Sequence, residues 1–456
     1  MVKINELRLK NFKVFLDERF NFRKITLLTG ANSAGKSTVL NALASIVQGN
    51  DSTPYPFFFN ANGDNVNLGQ YKDIVTNGNT SNTVEVSVKF SKNSREDIAL
   101  KGVYRYASAG KQTLVDELSI KSSFGKLDVK WFGQDTGYKA FRQLSEKAYG
   151  MNDIIYKVLL SIPDKLSDLD INPDDFSKEN INSFIRDIGT SSVEWEDIGL
   201  KKSNEIYSFL REKTKYSNLL KEYNTSFDSL LEQTAYVGPI RPHPERQYLS
   251  KPIYGKINSY GTNAFQYLID WYSTDTQKFK KVVSDLKLIG LADDVEANRI
   301  SDDSVEFLVK PLGHKNKVNI SDVGFGVSQI LPVVVANILQ KKNSSLLINQ
   351  PEVHLHPSSQ AQLANYFFEE SRNKNLVIET HSEYLINRFR LLVAKGELKP
   401  SDINIIFISN SENENLVSNI EIAENGSLVG APSSFFDTYY IDNEALVFSS
   451  LGFGND

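Results

Sequence analysis

Cysteine is missing from this chain altogether, which excludes disulfides and thiolate metal sites and suits a reducing, cytoplasmic compartment. A basic-then-apolar leader is missing too, because alternation of apolar and polar residues begins at once. No apolar run matches a bilayer: the longest, Ile330 to Leu339, is half a membrane span. The expectation is a soluble, cytoplasmic protein with no membrane partner. Excess positive charge is lacking. A formal net charge of −5 argues against the whole chain wrapping nucleic acid, although a local basic face is compatible with it. There is no internal repeat, and no heptad pattern persists long enough for a coiled coil. What remains, at 456 residues, is room for roughly two to four domains or one large domain with an insertion.

Against these absences stands Gly30-Ala31-Asn32-Ser33-Ala34-Gly35-Lys36-Ser37-Thr38. It follows the apolar run Ile25-Thr26-Leu27-Leu28-Thr29 and precedes Val39, Leu40, Ala42, Leu43, Ile46 and Val47 at helical spacing. Strand, glycine-bounded loop and helix form the context that the phosphate-binding pattern G-x-x-x-x-G-K-[ST] requires. The glycines let successive N–H groups curl toward phosphate oxygens, and the helix adds the positive end of its dipole. In such a loop Lys36 reaches the terminal phosphates and the Ser37 hydroxyl ligates Mg²⁺. The pattern predicts binding of a nucleoside triphosphate.

Taken in order, residues 3–22 read as a β-meander feeding that strand, with Ile4, Leu7, Leu9, Phe12, Phe15, Phe20 and Phe22 carrying the alternation. Residues 50–67, rich in Asn, Gly, Pro and Asp, read as a surface loop, and Leu68 to Val75 as an ordered return that contains Gln70. Four runs, 84–90, 103–106, 114–120 and 127–132, read as antiparallel strands. From about Tyr138 to Gln233 the pattern turns helical and polar. Tyr236 to Pro242 returns the chain to the main body, with helices over roughly 262–290 and strands at 304–310 and 317–320. Helix 326–341, strand 344–349, helix 358–372, strand 375–380, helix 382–396 and strand 403–409 then alternate as in a parallel sheet covered by helices. The expected division is 1–137, an N-terminal lobe; 138–235, a helical insertion; 236–410, a C-terminal lobe; and 411–456, an extension.

Asp322 to Gln329 is a small-residue loop opening a helix, with Gly324, Gly326 and Ser328. Such a loop can donate N–H groups and a hydroxyl to a γ-phosphate held by a second molecule; a plain helix cap accounts for the same residues. The apolar strand Ser345 to Ile348 ends at Asn349-Gln350-Pro351-Glu352, and Leu376 to Thr380 ends at His381. His354 and His356, two apart before Pro357, resemble a metal pair, but no third ligand of matching spacing accompanies them, so no zinc site is expected.

The order phosphate loop, Gln-containing loop, signature-like loop, acidic strand end and His-bearing strand end resembles the ABC-type ATPase heads of the SMC, RecF and OLD group. Within it, Pro351-Glu352-Val353-His354-Leu355-His356-Pro357 and the Gly324 to Pro332 run look most like bacterial stand-alone AAA-type ATPases of phage defence and toxin-like operons. The resemblance covers about 1–75 and 236–440, and Asn425 to Asp437 is similar to a C-terminal extension of those proteins. It implies an α/β fold: a P-loop NTPase of ABC-ATPase head type, a mixed sheet with an antiparallel β lobe and an inserted helical subdomain. It also implies roles. Gly30 and Asn32, Ser33, Ala34, Gly35, Lys36, Ser37 and Thr38 would cradle the phosphates, with Lys13 touching the nucleotide. Ser37, Gln70 and Asn349 would hold Mg²⁺. Gly324, Gly326 and Ser328 would cap the γ-phosphate across a dimer, and Glu352, Gln350 and the switch histidine His381 would occupy the catalytic positions. Two chains would sandwich two ATP molecules, as an ATP-dependent dimer or higher even oligomer.

One departure stands out. Where the family offers adjacent acids, or an acid and a glutamine, this chain has the amides Asn349 and Gln350. An amide oxygen coordinates Mg²⁺ without charge, and neither amide can take a proton from water. Glu352 is then the remaining candidate base. Slow turnover through Glu352, a natural ATP-sensing switch and an engineered hydrolysis-trapped variant all fit, and each implies slow or impaired hydrolysis.

Two functions follow from the resemblance. The first is an ATP-gated sensor or scaffold that controls a nuclease or toxin encoded nearby and acting in trans, as in Septu-type or PARIS-type anti-phage defence, with segment 138–235 as the docking surface. The alternative is a RecF- or SMC-like DNA-binding ATPase of DNA repair. Its basic candidates, Lys201-Lys202, Lys213 with Lys215, Lys280-Lys281 and Arg241 to Arg246, read as solvated surface.

Overall fold

In a computed structural model, the structure describes residues 2–50, 52–92, 96–144, 195–213, 216–253, 255–409 and 416–433, with Phe435 and Val447. The bulk of the expected helical insertion, 145–194, and most of the expected extension lie outside the described residues.

Alternation builds the first sheet. β1 (Val2–Phe12) buries Val2, Ile4, Leu7, Leu9 and Phe12, shifting register once at a bulge between Ile4 and Glu6. A two-residue tip, Lys13-Val14, turns it into β2 (Phe15–Asn21). The chain then crosses to β3 (Ile25–Gly30) and α1 (Lys36–Val47). A single helical turn, α2 (Tyr71–Ile74), brings it back to the hairpin tip, where Lys13 N–H donates to Ile74 O at 2.6 Å. β4 (Val84–Lys92), β5 (Glu96–Ala107), β6 (Gln112–Ser122), β7 (Gly125–Trp131), β8 (Tyr138–Leu144) and β9 (Glu196–Asp197) complete an antiparallel sheet of order β2-β1-β4-β5-β6-β7-β8-β9. β8 corrects the sequence reading, which placed helix from about Tyr138. Tyr138 and Ala140 are buried against the sheet while Lys139 between them is not, the alternation of an edge-ward strand. α3 (Ile206–Glu212) and α4 (Ser217–Glu232) pack on this sheet through Leu210, Leu219, Leu220, Tyr223 and Phe227.

The second sheet is the central one. It is built from β3 and from β10 (Thr234–Val237), followed along the chain by β11 (Tyr248–Leu249), α5 (Ala264–Thr274), α6 (Thr276–Ile289), β12 (Ala292–Arg299), β13 (Ser304–Pro311), β14 (Val318–Asn319) and α7 (Gly326–Leu339). Then come β15 (Ser344–Asn349), α8 (Pro357–Ser371), β16 (Lys374–Glu379), α9 (Glu383–Ala394), β17 (Ile403–Ile408), β18 (Val417–Ile422) and β19 (Leu428–Val429). The order is β10-β15-β16-β3-β17-β18-β19, parallel from β10 to β17 and antiparallel beyond. β15, β16 and β17 are buried at every position, as parallel strands covered on both faces must be. One face, with Leu28, Leu347, Val377 and Ile406, joins the core under the antiparallel sheet. The other, with Leu27, Leu346, Ile348, Leu376 and Ile405, meets α5 to α9. A small sheet of β11, β13, β12 and β14 flanks those helices.

The alternating helices and strands after residue 326 fall where the sequence placed them. Two details differ. The helical stretch 262–290 breaks at Asp275, whose side chain accepts from Lys278 N–H and starts α6. β12 is not legible as a strand because Asp293, Asp294 and Glu296 interrupt its buried Ala292, Val295 and Ala297.

Candidate active site

β3 delivers its last residue, Gly30, against β17 at φ +135°, where a Cβ would lie 2.0 Å from Ile408 O; a side chain there would force the strands apart. Gly35 also takes positive φ, and its Cβ would meet Val14 Cγ2 at 2.6 Å and Phe15 Cζ at 2.9 Å. The hairpin tip therefore lies against the phosphate loop at Gly35, through Val14 and Phe15, with Lys13 next to that contact in the chain. Lys36 is 4% exposed and folds back, its Nζ donating to Gly30 O at 3.1 Å and Ala31 O at 2.5 Å. Burial lowers its pKa, with Glu379 acting the other way. Neutral carbonyls are exchangeable partners for an ammonium, so phosphate oxygens can replace them. Ser37 Oγ donates to Glu379 Oε1 at 2.7 Å.

Two strand ends face this loop. At the end of β15, Asn349 is buried and its carbonyl accepts from Arg241 Nη2 at 2.6 Å, while Arg241 Nη1 reaches Gln350 O at 3.4 Å. Gln350 turns the chain at φ +43° and donates its N–H to Glu379 O at 2.9 Å. Glu352, also buried, accepts from His381 N–H at 2.6 Å on Oε1. Burial raises its pKa, with hydrogen bonds from His381 and Thr380 and the charge of Arg241 opposing. At the end of β16, Glu379 is 1% exposed and its pKa is raised by burial, opposed by Ser37 and Lys36. His381 is exposed beside the loop; burial and then Lys36 lower its pKa, so the ring is neutral at pH 7. Ser382 fixes the turn, accepting from Leu385 N–H and donating to Gln360 Oε1 at 2.6 Å.

Three buried oxygens at this edge have no hydrogen-bond partner: Asn349 Oδ1, Glu352 Oε2 and Glu379 Oε2. Orphaned acceptors converging beside a phosphate loop fit a cation and its waters. Among the described residues no group of three or more His, Cys, Asp or Glu could hold a metal alone. Mg²⁺ does not need one, because phosphates and water supply most of its shell.

Most of the remaining candidates have local partners of their own. Gln70 is exposed and its N–H donates to Asp73 Oδ2 at 2.8 Å, at the start of α2. Gly324 is exposed with open space where a Cβ would go, and Gly326 packs on Leu355 and Leu291. Ser328 is buried, its hydroxyl donating to Phe325 O at 2.9 Å. Phe325 is 47% exposed, with its ring 4.9 Å from that of His243 and 5.8 Å from that of His354. His356 Nδ1 caps α8, accepting from Ser358 N–H.

Two residues escaped the sequence reading. Arg241 reads as solvated surface in the sequence, yet it is 5% exposed, donates to the backbone carbonyls of Asn349 and Gln350, and has its pKa pushed down to about 10 by burial. A Gly-Pro pair just before it was the only cue. Glu379 is a charge closing the apolar run Leu376 to Ile378, a cue in itself.

A parallel sheet whose glycine-rich loop meets a helix N-terminus, with a buried Glu and a His presented by neighbouring strand ends, defines a P-loop ATPase of ABC type. The chain belongs to the AAA ATPase domain family (AAA_15), whose model matches residues 2–386. Among solved structures it is similar to the SMC head bound to the C-winged helix domain of ScpA, at 12% identity over 92% of this chain and 98% of that one, TM-score 0.42. It is also similar to the Smc head domain with an extended coiled coil bound to the C-terminal domain of ScpA from Pyrococcus furiosus, at 13% identity over 97% and 99%, TM-score 0.39. A third is the SMC head domain from Thermotoga maritima, at 10% identity over 92% and 99%, TM-score 0.37. Comparison with curated proteins gives no match. Among the described residues no helix is long and apolar enough to cross a membrane.

Proposed function

We propose that the chain binds ATP with Mg²⁺ at the 30–38 loop and pairs with a second copy around it. In this reading it serves in the cytoplasm as the sensor or scaffold subunit of a bacterial anti-phage complex and controls a nuclease or toxin acting in trans. The observation that carries nucleotide binding is the convergence of Lys36, Ser37, Glu352, Glu379 and His381 on one loop. The trans-acting partner rests on the resemblance of the Pro351 to Pro357 and Gly324 to Pro332 runs.

Ser37, Asn349 and Glu379 would hold the metal, which when bound neutralises phosphate charge. Lys36 exchanges its loop carbonyls for terminal phosphate oxygens. Glu352 keeps Oε1 on the His381 N–H and leaves Oε2 to take a proton from water, a task its raised pKa favours. Neutral His381 offers a ring N–H to the γ-phosphate. With amides at 349 and 350, turnover is slow. The exposed Gly324 turn and the N-terminus of α7 face outward, available to a phosphate carried by a second copy.

Light scattering of the purified chain, with and without a non-hydrolysable ATP analogue, tests the pairing. The expected result is a doubling of mass that Lys36→Ala abolishes; a mass indifferent to nucleotide overturns it. Co-purification with the neighbouring gene product tests the scaffold role. ATP-dependent duplex binding without such a partner would favour the DNA-repair reading instead.

A further inference from the structure

We propose that Glu379 is the metal-site carboxylate of this chain, standing on β16, one strand away from the position where family resemblance seeks it. The inference rests on the nucleotide-binding reading above. In the parallel register Asn349 pairs with Glu379, so the amide and the acid end adjacent strands at the same level. Glu379 alone of the two touches Ser37, the loop hydroxyl that a P-loop turns to the metal.

The electrostatics point the same way. A carboxylate 1% exposed is strongly disfavoured unless a cation or hydrogen bonds compensate it. Among the described residues Glu379 has no ion pair within contact distance, and the nearby Lys36 ammonium is engaged by Gly30 O and Ala31 O. Oε1 has the Ser37 hydroxyl; Oε2 has nothing. Glu352, the other buried acid of this site, also leaves Oε2 unpartnered, but its Oε1 is taken by the His381 N–H and not by the loop hydroxyl. The two acids thus divide the work, Glu352 for the proton and Glu379 for the cation. A purely structural brace would need only the hydrogen bond to Ser37, which a glutamine supplies equally well; a metal site needs the charge.

The test is the Mg²⁺ dependence of binding of a fluorescent, non-hydrolysable ATP analogue, measured by titration with Mg²⁺ and again in chelator. Glu379→Gln is expected to raise the Mg²⁺ concentration for half-maximal binding by at least about tenfold. In chelator its affinity is equal to or tighter than the parent's, since a negative charge beside the phosphates is gone. Glu379→Gln combined with Asn349→Asp, which returns the charge to the neighbouring strand end, restores the Mg²⁺ dependence. Glu379→Asp, which keeps the charge, stays near the parent and serves if the glutamine variant fails to fold by thermal melting. An unchanged Mg²⁺ requirement in Glu379→Gln overturns the proposal. So does an equal loss of affinity with and without metal, which marks a brace. Failure of the parent chain to bind the analogue at all would overturn the nucleotide-binding reading instead.

Discussion

Around Lys36 and Ser37 the polar groups are buried and wired to one another, whereas the Gly324 to Gly326 turn stands open, with Phe325 half in solvent. The first region is pre-organised: its hydrogen bonds hold Glu352, Glu379 and His381 in place before any ligand arrives. The second has its one hydroxyl, that of Ser328, turned inward to Phe325 O. On the reading proposed above, the buried groups serve the nucleotide and the open turn is left for a second copy. The comparison predicts that damage to the first region destroys binding or turnover, and damage to the second destroys association alone.

The largest effect is expected for Glu352→Gln. Phosphate release should fall by about 10²–10⁴-fold with nucleotide affinity preserved, as removal of a general base requires. Unchanged release would take Glu352 out of the chemistry. Next, Lys36→Ala should weaken nucleotide binding roughly a hundredfold by calorimetry, the loss of one buried charge-assisted contact. Phe325→Asp sharpens the contrast: it should weaken ATP-dependent pairing by about 2 kcal/mol in sedimentation analysis, the scale of an aromatic hot spot, with monomer affinity for nucleotide untouched. A loss of nucleotide affinity in that variant would merge the two regions into one. Smallest is a pH effect. His381 has a folded pKa below 6.5, so the unfolded chain binds that proton more readily. The stability it contributes is present above pH 6.5 and lost as pH falls through the lowered value, and His381→Gln should flatten that slope in thermal melts.

How much of this the sequence discloses depends on where the determinants lie along the chain. The 30–38 loop is legible because nine neighbouring residues state strand, turn and helix together. The alternation after residue 326 is equally plain, since fully buried strands read as unbroken apolar runs such as Leu346 to Ile348. β8 and β12 are hidden by charge: Lys139 and Arg142 interrupt one, and Asp293, Asp294 and Glu296 the other, none of them buried. Glu379 and Arg241 have meaning only through partners far away. Ser37 and Glu379 are 342 positions apart, and Arg241 finds the Asn349 carbonyl 108 positions on. No local pattern encodes such a meeting. It arises because β16 settles beside β3, a consequence of the whole sheet.

The placement of β3 between β16 and β17 also sets an order of events during synthesis. The loop is translated long before the strands that flank it and the Ile408 carbonyl against which Gly30 closes; Thr26 bonds Asn404 across 378 positions. At usual elongation rates the ribosome needs on the order of tens of seconds to supply them. Until then β3 is an apolar strand with both edges bare, the state in which strands pair wrongly. A nascent chain stalled before residue 400 therefore holds the complete phosphate-loop sequence without β17, and the loop takes its folded setting only after that strand is made.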